Sequence, residues 1–156
     1  MKLYLETTVP NFLFITDAPE KRAKTETLFR QIQAGRHRAC VSALYFREVA
    51  AVSSPLLRYQ LEGIAEVYDL EIVPLTEDAE ELVQEYLQAE AFRTGNLTDA
   101  LHVAIAARNA CEVVVSWNFQ HMVRPWTITR VARVHARLGL EPLAICTPEE
   151  VVVEGE

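Results

Sequence analysis

Cysteine is scarce in this chain, and what there is does not suit a cross-linked scaffold. Cys40, Cys111 and Cys146 are odd in number, lie far apart, form no C-x-x-C pair and show no zinc-ligand spacing. That excludes a disulfide-stapled secreted module and fits a reducing compartment, where each thiol acts as a small buried hydrophobe. Glycine is also sparse, with five in 156 residues. None falls in a G-x-G-x-x-G or P-loop pattern after a strand, so the loop that cradles a nucleotide's phosphates is missing. No apolar run reaches membrane-spanning length. The opening Met1-Lys2-Leu3-Tyr4-Leu5-Glu6 meets an acid too soon to make a signal peptide. A soluble, cytoplasmic protein without a membrane partner is expected. Positive charge is not in excess either: 15 Lys and Arg against 22 Asp and Glu leave a net charge of −7. Bulk charge therefore cannot draw in a polyanion, and any RNA contact must come from local basic patches or a bound cation.

Half of the residues are hydrophobic, 50%, enough at this length for a packed core. The turn residues divide them regularly. Residues 3–5 read as a short apolar strand, ended by Glu6-Thr7-Thr8 and Pro10. Residues 20–34 are helical in composition, with Gly35 placed as a left-handed cap. A second strand spans 39–41, and Ser42 can cap a helix running through Glu48 to about residue 52. Ser54-Pro55 opens another helix to about residue 66. A third strand covers 70–75. Thr76 caps the next helix, whose first turns carry Glu77, Asp78, Glu80 and Glu81 at the positive end of the dipole, and Gly95 is expected to close it. Thr98 caps a helix over 99–109. The fourth strand lies at 113–115, and a loop through Pro125 leads to a helix near 129–138 stopped by Gly139. A fifth strand at 143–145 precedes Thr147-Pro148-Glu149-Glu150, a capping box with proline in the first helical position.

Strands alternating with helices, each strand a nearly continuous apolar run, indicate an α/β fold. The expectation is a three-layer α/β/α sandwich with a mainly parallel sheet of about five strands and right-handed crossovers. A single domain over residues 1–150 is expected, followed by a short tail, 151–156.

In such folds the chemistry gathers beyond the carboxyl ends of the strands. Glu6 directly follows the first strand, and Asn118 lies two residues past Ser116 after the fourth. Asp99 opens a helix that runs antiparallel to the sheet, so it starts at the same edge. Glu48 lies on the helix after the second strand and reaches that edge if the helix leans over the sheet. Three carboxylates and a carboxamide, remote in sequence, can thus meet at one rim. An oxygen-rich set of this kind suits Mg2+ or Mn2+. Such an ion favours in-line attack on a phosphodiester. Each residue also has a plainer explanation: Asp99 complements a helix dipole, Glu48 sits on a solvated face, Glu6 caps a turn, Asn118 forms one. The argument rests on their convergence. His102, one turn after Asp99, is expected to be a packed, hydrogen-bonded partner. Trp117 and His121 flank the same loop, as a core Trp and a loop His or as a stacking surface for a base.

Several stretches resemble one known family. Leu3-Tyr4-Leu5-Glu6-Thr7-Thr8-Val9 resembles the opening strand and "DTS" motif of PIN domains. Val41-Ser42 through Glu48-Val49 is similar to their second motif, a Ser-started helix carrying a Glu. Thr98-Asp99-Ala100-Leu101-His102-Val103-Ala104 is similar to the third, "DALHIA", and Val115-Ser116-Trp117-Asn118-Phe119-Gln120-His121 to the "TWNFxHI" form of the fourth. The ending Ile145-Cys146-Thr147-Pro148-Glu149-Glu150 recurs in the same subgroup, and the motifs run in order over nearly the whole chain. The resemblance implies a Rossmann-like sandwich and a Mg2+- or Mn2+-dependent ribonuclease of single-stranded RNA. It further implies a VapC-type toxin, held by an antitoxin protein and forming a homodimer. On the matching positions Glu6, Glu48 and Asp99 would hold the metal, with Asn118 where most members carry a fourth acid. Thr8 and Ser116 match small hydroxyl residues that orient the acids or water. Two positions depart from the pattern: the usual first Asp is Glu6, one methylene longer, and Asn118 cannot act as a base.

Two basic groups are candidate RNA contacts. One is Arg36-His37-Arg38. The other is Arg124 with Arg130, Arg133 and Arg137, of which the last three share a helix face. The competing function is a PIN-fold module with weakened chemistry that binds RNA or a protein partner, favoured by Glu6 and Asn118. A nucleotide-binding α/β domain is disfavoured by the missing glycine motifs, and an aspartyl phosphotransferase by Glu6 where an Asp is wanted.

Overall fold

In the computed structural model, residues 1–93 and 95–154 are described. Along the chain run β1 (Lys2–Leu5), α1 (Thr8–Asn11), α2 (Pro19–Gln33), β2 (Arg38–Ser42), α3 (Ala43–Ala50), α4 (Pro55–Glu62) and α5 (Ile64–Val67). They are followed by β3 (Glu71–Val73), α6 (Glu77–Gln88), α7 (Leu97–Arg108), β4 (Val113–Val115), α8 (Pro125–Leu138), β5 (Ala144–Cys146) and α9 (Pro148–Val151). The strands form one sheet in the order β3-β2-β1-β4-β5, and every neighbouring pair is parallel. The α/β/α sandwich expected from the pattern of apolar runs is thus the fold observed.

Strand alternation splits the core into two layers. Leu3, Leu5, Val41, Val113 and Val115 face a layer completed by Leu28 and Phe29 of α2, Tyr45 and Val49 of α3 and Ile64 of α5. Tyr4, Cys40, Val114 and Ile145 face the other, completed by Leu82 and Tyr86 of α6, Val103 and Ile105 of α7 and Val131 and Val134 of α8. Leu3, Tyr4 and Leu5 are all 0% exposed, because β1 is the central strand and is covered on both faces. Each such aliphatic side chain contributes roughly 1.5–3 kcal/mol relative to exposure. The chain leaves β1 in one direction for β2 and β3, then returns past β1 to β4 and β5. The carboxyl ends of β1 and β4 therefore flank the point where the winding reverses, the place where open α/β sheets bind ligands.

Several boundaries differ from the expectation, each for a local reason. The helix expected to end at Gly95 ends at Gln88, because Glu90 takes the left-handed conformation (φ 57°) and the Ala91 amide donates to the Tyr86 carbonyl at 3.0 Å. Buried Ala91 and Phe92 follow, so apolar packing fixes a cap that composition alone would give to glycine. The helix expected over 54–66 is interrupted at Gly63. α7 starts at Leu97 with Asn96 in the cap position, which puts Thr98 inside the first turn. α8 starts at Pro125 instead of residue 129, since proline suits the first helical position. Gly139 does end α8 in the left-handed region, at φ 71°. Ser54 and Thr147 cap as expected, the latter in a complete capping box, whereas Thr76 makes no cap bond and donates to the Asp78 carboxylate.

Cys40 and Cys111, distant in sequence, meet with 3.5 Å between their sulfurs. All three cysteines are free thiols. Beyond α9, Val153 exchanges two hydrogen bonds with the Gln31 amide, at 2.9 and 3.0 Å. Among the described residues no helix is long and apolar enough to cross a membrane.

Candidate active site

Glu6 ends β1 at the reversal point. Its backbone N–H donates to the Val115 carbonyl at 3.0 Å, extending the β1–β4 ladder past both strands. The side chain is 4% exposed, a burial that an acid tolerates only with hydrogen-bond donors. Two hydroxyls supply them. Thr8 Oγ1 donates to Glu6 Oε1 at 2.5 Å and Ser116 Oγ donates to the same oxygen at 2.7 Å. Each hydroxyl also accepts a backbone N–H: Trp117 donates to Thr8 Oγ1 at 3.0 Å, and Asn118 to Ser116 Oγ at 2.9 Å. Thr8 and Ser116, singled out in the sequence, thus stand on either side of Glu6 and join it to the loop after β4.

Glu48 rides on α3 and is clamped from two elements. Thr7 Oγ1 donates to Glu48 Oε1 at 2.7 Å, and His102 Nε2 donates to the same oxygen at 2.5 Å. Burial pushes the Glu48 carboxyl up, but the hydrogen bonds from His102 and the Thr7 hydroxyl outweigh it and hold the group below its ordinary range. His102 is fully buried, the packed partner that its place on the inner face of α7 implied. Its other nitrogen, Nδ1, accepts from the Tyr4 hydroxyl at 2.5 Å, and the Tyr4 oxygen is 2.8 Å from Ser42 Oγ. Burial pushes the Tyr4 phenol well up, so it stays protonated and can donate. Ser42, expected as the helix cap of α3, makes no cap bond and serves this network instead.

Asp99 lies in the first turn of α7. Asn118 Nδ2 donates to Asp99 Oδ1 at a long 3.4 Å, while its own Oδ1 accepts the His121 backbone N–H at 3.0 Å. Burial pushes the Asp99 carboxyl up; the charges of Glu6 and Glu48 add to the rise against opposition from His121 and His102. Hydrogen bonds tie Glu6 to Asp99 through Ser116 and Asn118, and Glu48 to the helix of Asp99 through His102. Among the described residues, however, no three His, Cys, Asp or Glu side chains stand close enough together to hold a metal ion as they are. His121 Nδ1 accepts from Asn96 Nδ2 at 2.9 Å, which ties the loop after β4 to the start of α7. Trp117 is a core residue, 6% exposed, with its indole N–H donating to Thr25 Oγ1 at 2.9 Å.

The basic groups separate. Arg124 occupies the N-cap position of α8, on the side of the loop after β4. Arg130, roughly 9 Å further along at 1.5 Å per residue, stacks 3.6 Å over the Trp126 ring and pairs with Glu90. Arg133 is exposed a turn beyond, and Arg137 pairs with Glu85. Arg36, His37 and Arg38 lie at the amino end of β2, opposite the acids. His37 is buried there with neither ring nitrogen at hydrogen-bonding geometry to a partner.

Sequence reading missed Tyr4, Thr7 and Trp126. Tyr4 passes for one more core residue in an apolar strand, yet a phenol buried among leucines must find a partner. Thr7 sits between Glu6 and Thr8, and its role depends on where α3 lies.

Comparison with known proteins agrees with this fold. Among solved structures the fold is similar to that of VapBC2 from Rickettsia felis bound to a DNA fragment from its promoter. The TM-score is 0.58 at 14% identity, covering 94% of this chain and 98% of that one. It is also similar to VapBC-5, a toxin–antitoxin member from Mycobacterium tuberculosis, with a TM-score of 0.50 at 18% identity and the same coverage, 94% and 98%. No curated protein matches the chain. The family model described as PIN domain matches residues 3–119, most of the sequence and every one of the acids above, and the chain belongs to the PIN domain family.

Proposed function

We propose that the protein is a divalent-metal-dependent endoribonuclease acting on single-stranded RNA, the toxin of a type II toxin–antitoxin pair. The observation that carries this reading is the linkage of Glu6, Glu48 and Asp99 by hydrogen bonds through Ser116, Asn118 and His102 at the reversal point of the sheet. Like charges brought together in a fold call for a cation. The donor set is oxygen throughout, which fits Mg2+ or Mn2+ and disfavours softer ions. Glu6 and Glu48 each commit one oxygen, Oε1, to hydrogen bonds. Glu6, Glu48 and Asp99 would hold the ion, with small rotations of the carboxylates. A dication bound there supplies positive charge for the developing charge at phosphorus and acidifies water.

The chain's own contribution is placement. Thr8 and Ser116 fix the plane of Glu6, Thr7 and His102 that of Glu48, and Asn118 that of Asp99. Asn118 cannot take a proton, so proton uptake from an attacking water falls to a carboxylate. Arg124, at the same edge, would hold a phosphate of the RNA. Arg130 and Arg133 are weaker candidates on a receding helix face. Likeness to VapBC complexes supports an antitoxin partner; a cytoplasmic homodimer is the working form that the family resemblance implies. A second reading, a PIN-fold module that binds RNA or protein without cleaving, is favoured by Asn118 and by the spacing of the acids.

The test is incubation of the purified protein with mixed single-stranded RNA in Mn2+, Mg2+ or chelator, beside Asp99→Ala. Metal-dependent cleavage lost in the variant supports the nuclease. No cleavage by folded, inhibitor-free protein with either ion moves the reading to the binding module. Equal cleavage by both proteins places the site wrongly.

A further inference from the structure

Between the end of the loop after β4 and the segment that leads into α7 lies a groove with the chemistry of a nucleotide seat. It has a volume of about 610 Å3 and is lined by Leu87, Glu90, Phe92, Arg93, Arg124 and Trp126, a size in the usual range for a small-ligand site. Its walls continue the segments that carry the proposed site. Arg124 ends the loop after β4, downstream of Asn118, and Phe92 and Arg93 lead into Asn96 and α7, which carries Asp99. We infer that this groove seats the RNA beside the scissile phosphodiester, with a base stacked on Trp126 and a phosphate held by Arg124 and Arg93. The inference rests on the nuclease reading and names where its substrate lies.

Three features carry it. First, Trp126 is 50% exposed although it is large and apolar, and it is held rigid. Its indole N–H donates to the Glu90 carbonyl at 2.9 Å, and the Arg130 guanidinium lies 3.6 Å from its ring centre. A fixed, exposed indole is a prepared stacking surface that loses little freedom on binding. Second, the groove is locally cationic in a chain of net charge −7. Glu90 is paired with Arg130 at 3.4 Å. Among the described residues, Arg93 and Arg124 have no carboxylate partner. Arg124 Nε is aimed by Thr127 Oγ1 at 3.0 Å, which leaves the terminal nitrogens of its fork to grip an anion. Third, the competing aromatic cleft at the rim, by Trp117 and Phe119, also contains Glu20 and Glu149 beside Lys21 and Lys24. Its charges cancel, so it does not favour a phosphate.

The experiment titrates the full chain into single-stranded RNA bearing a fluorescent purine analogue, in chelator, so that binding is read without cleavage. Wild type is expected to quench the analogue. Trp126→Ala should lose the quench and bind about tenfold more weakly, with its salt dependence unchanged, whereas Trp126→Phe should keep most of both. Arg124→Ala and Arg93→Ala should weaken binding and each lower the slope of log affinity against log salt by about 0.7. The inference is overturned if these variants, shown to be folded by circular dichroism, bind RNA as wild type does while Asp99→Ala still abolishes cleavage; the nuclease reading then stands without this seat. Wild type that neither binds nor cleaves RNA removes both. Loss of a protein partner's binding in the groove variants, with RNA binding intact, assigns the groove to that partner and overturns the inference.

Discussion

His102 Nε2 and Glu48 Oε1 are 2.5 Å apart, although the two residues are 54 apart in sequence and sit on helices that follow different strands. This bond is the outer end of a buried chain, Ser42 to Tyr4 to His102 to Glu48. The chain crosses the sheet's central strand and ends on a carboxylate of the proposed site. An acid of the proposed site is thus oriented from inside the core.

Tyr4→Phe removes one oxygen from the middle of that chain and leaves Ser42 Oγ and His102 Nδ1 without their partner in a fully buried setting. The expected cost is about 1–3 kcal/mol, seen as a lower urea midpoint at unchanged slope. An unaltered midpoint would mean that the hydroxyl contributes nothing to the fold.

Glu48 also gives the protein an acid limb. Its folded carboxyl lies below the ordinary range, so the folded state binds fewer protons than the unfolded one. The stability it contributes is present above the unfolded value, about 4.3, and is lost as pH falls through the folded value. Thermal melts from neutral to acid pH should fall less steeply for Glu48→Gln than for wild type. Parallel curves would detach Glu48 from the acid transition.

Asp99 has the opposite sign. Burial and the charges of Glu6 and Glu48 raise it. The folded state therefore holds its proton longer, and stability drops as pH rises from the unfolded value through the folded one. At neutral pH the ionised group is a cost. Asp99→Asn should melt higher than wild type without metal, while wild type should gain from Mn2+ or Mg2+ what the variant does not. A variant that melts lower, or that responds to the ion as wild type does, would count against Asp99 as the centre of the acid cluster.

Asn118→Asp exchanges the amide that donates to Asp99 for a fourth negative charge. Without metal it should destabilise by about 1 kcal/mol through the lost hydrogen bond, more with the added repulsion. Mn2+ should restore more stability to it than to wild type. Calorimetric titration checks the second half: unchanged ion affinity would place residue 118 outside the metal's reach.

Gly139→Ala tests a position with no role in the site. A methyl there meets no atom within 4 Å, but the backbone sits at φ 71°. The left-handed penalty of about 1 kcal/mol should appear alone, as a melting temperature lower by about 2–4 °C with cleavage and RNA affinity intact.

How much of this was legible depended on distance along the chain. Element types followed from apolar periodicity. Gly139 and the capping box at Thr147 were readable because their signals are local. Gly95 misled because the true cap at Glu90 is fixed by where Ala91 and Phe92 pack, a tertiary fact. Glu6, Asp99 and Asn118 could be placed at one edge from strand and helix direction alone. The clamps could not: Thr7 on Glu48 needs the lean of α3, and Tyr4 on His102 needs the spacing between sheet and α7. Trp126 went unnoticed because the helix was expected to begin near residue 129, which left the indole in a loop with no neighbour to hold it.

The central position of β1 has a consequence for when the site can exist. Glu6 is held by Ser116, 110 residues later in the chain, and both flanks of β1 stay open until β2 and then β4 arrive. During synthesis the first acid is made long before its second hydroxyl partner, the Asp99 helix and the Asn118 loop. A nascent or truncated chain that stops before Ser116 carries Glu6 and Glu48 without the geometry that would make them act together. The long loop that must close before the acids meet makes assembly of the site nearly the last event in folding. The proposed site therefore cannot assemble on the ribosome until the segment through Asn118 has emerged.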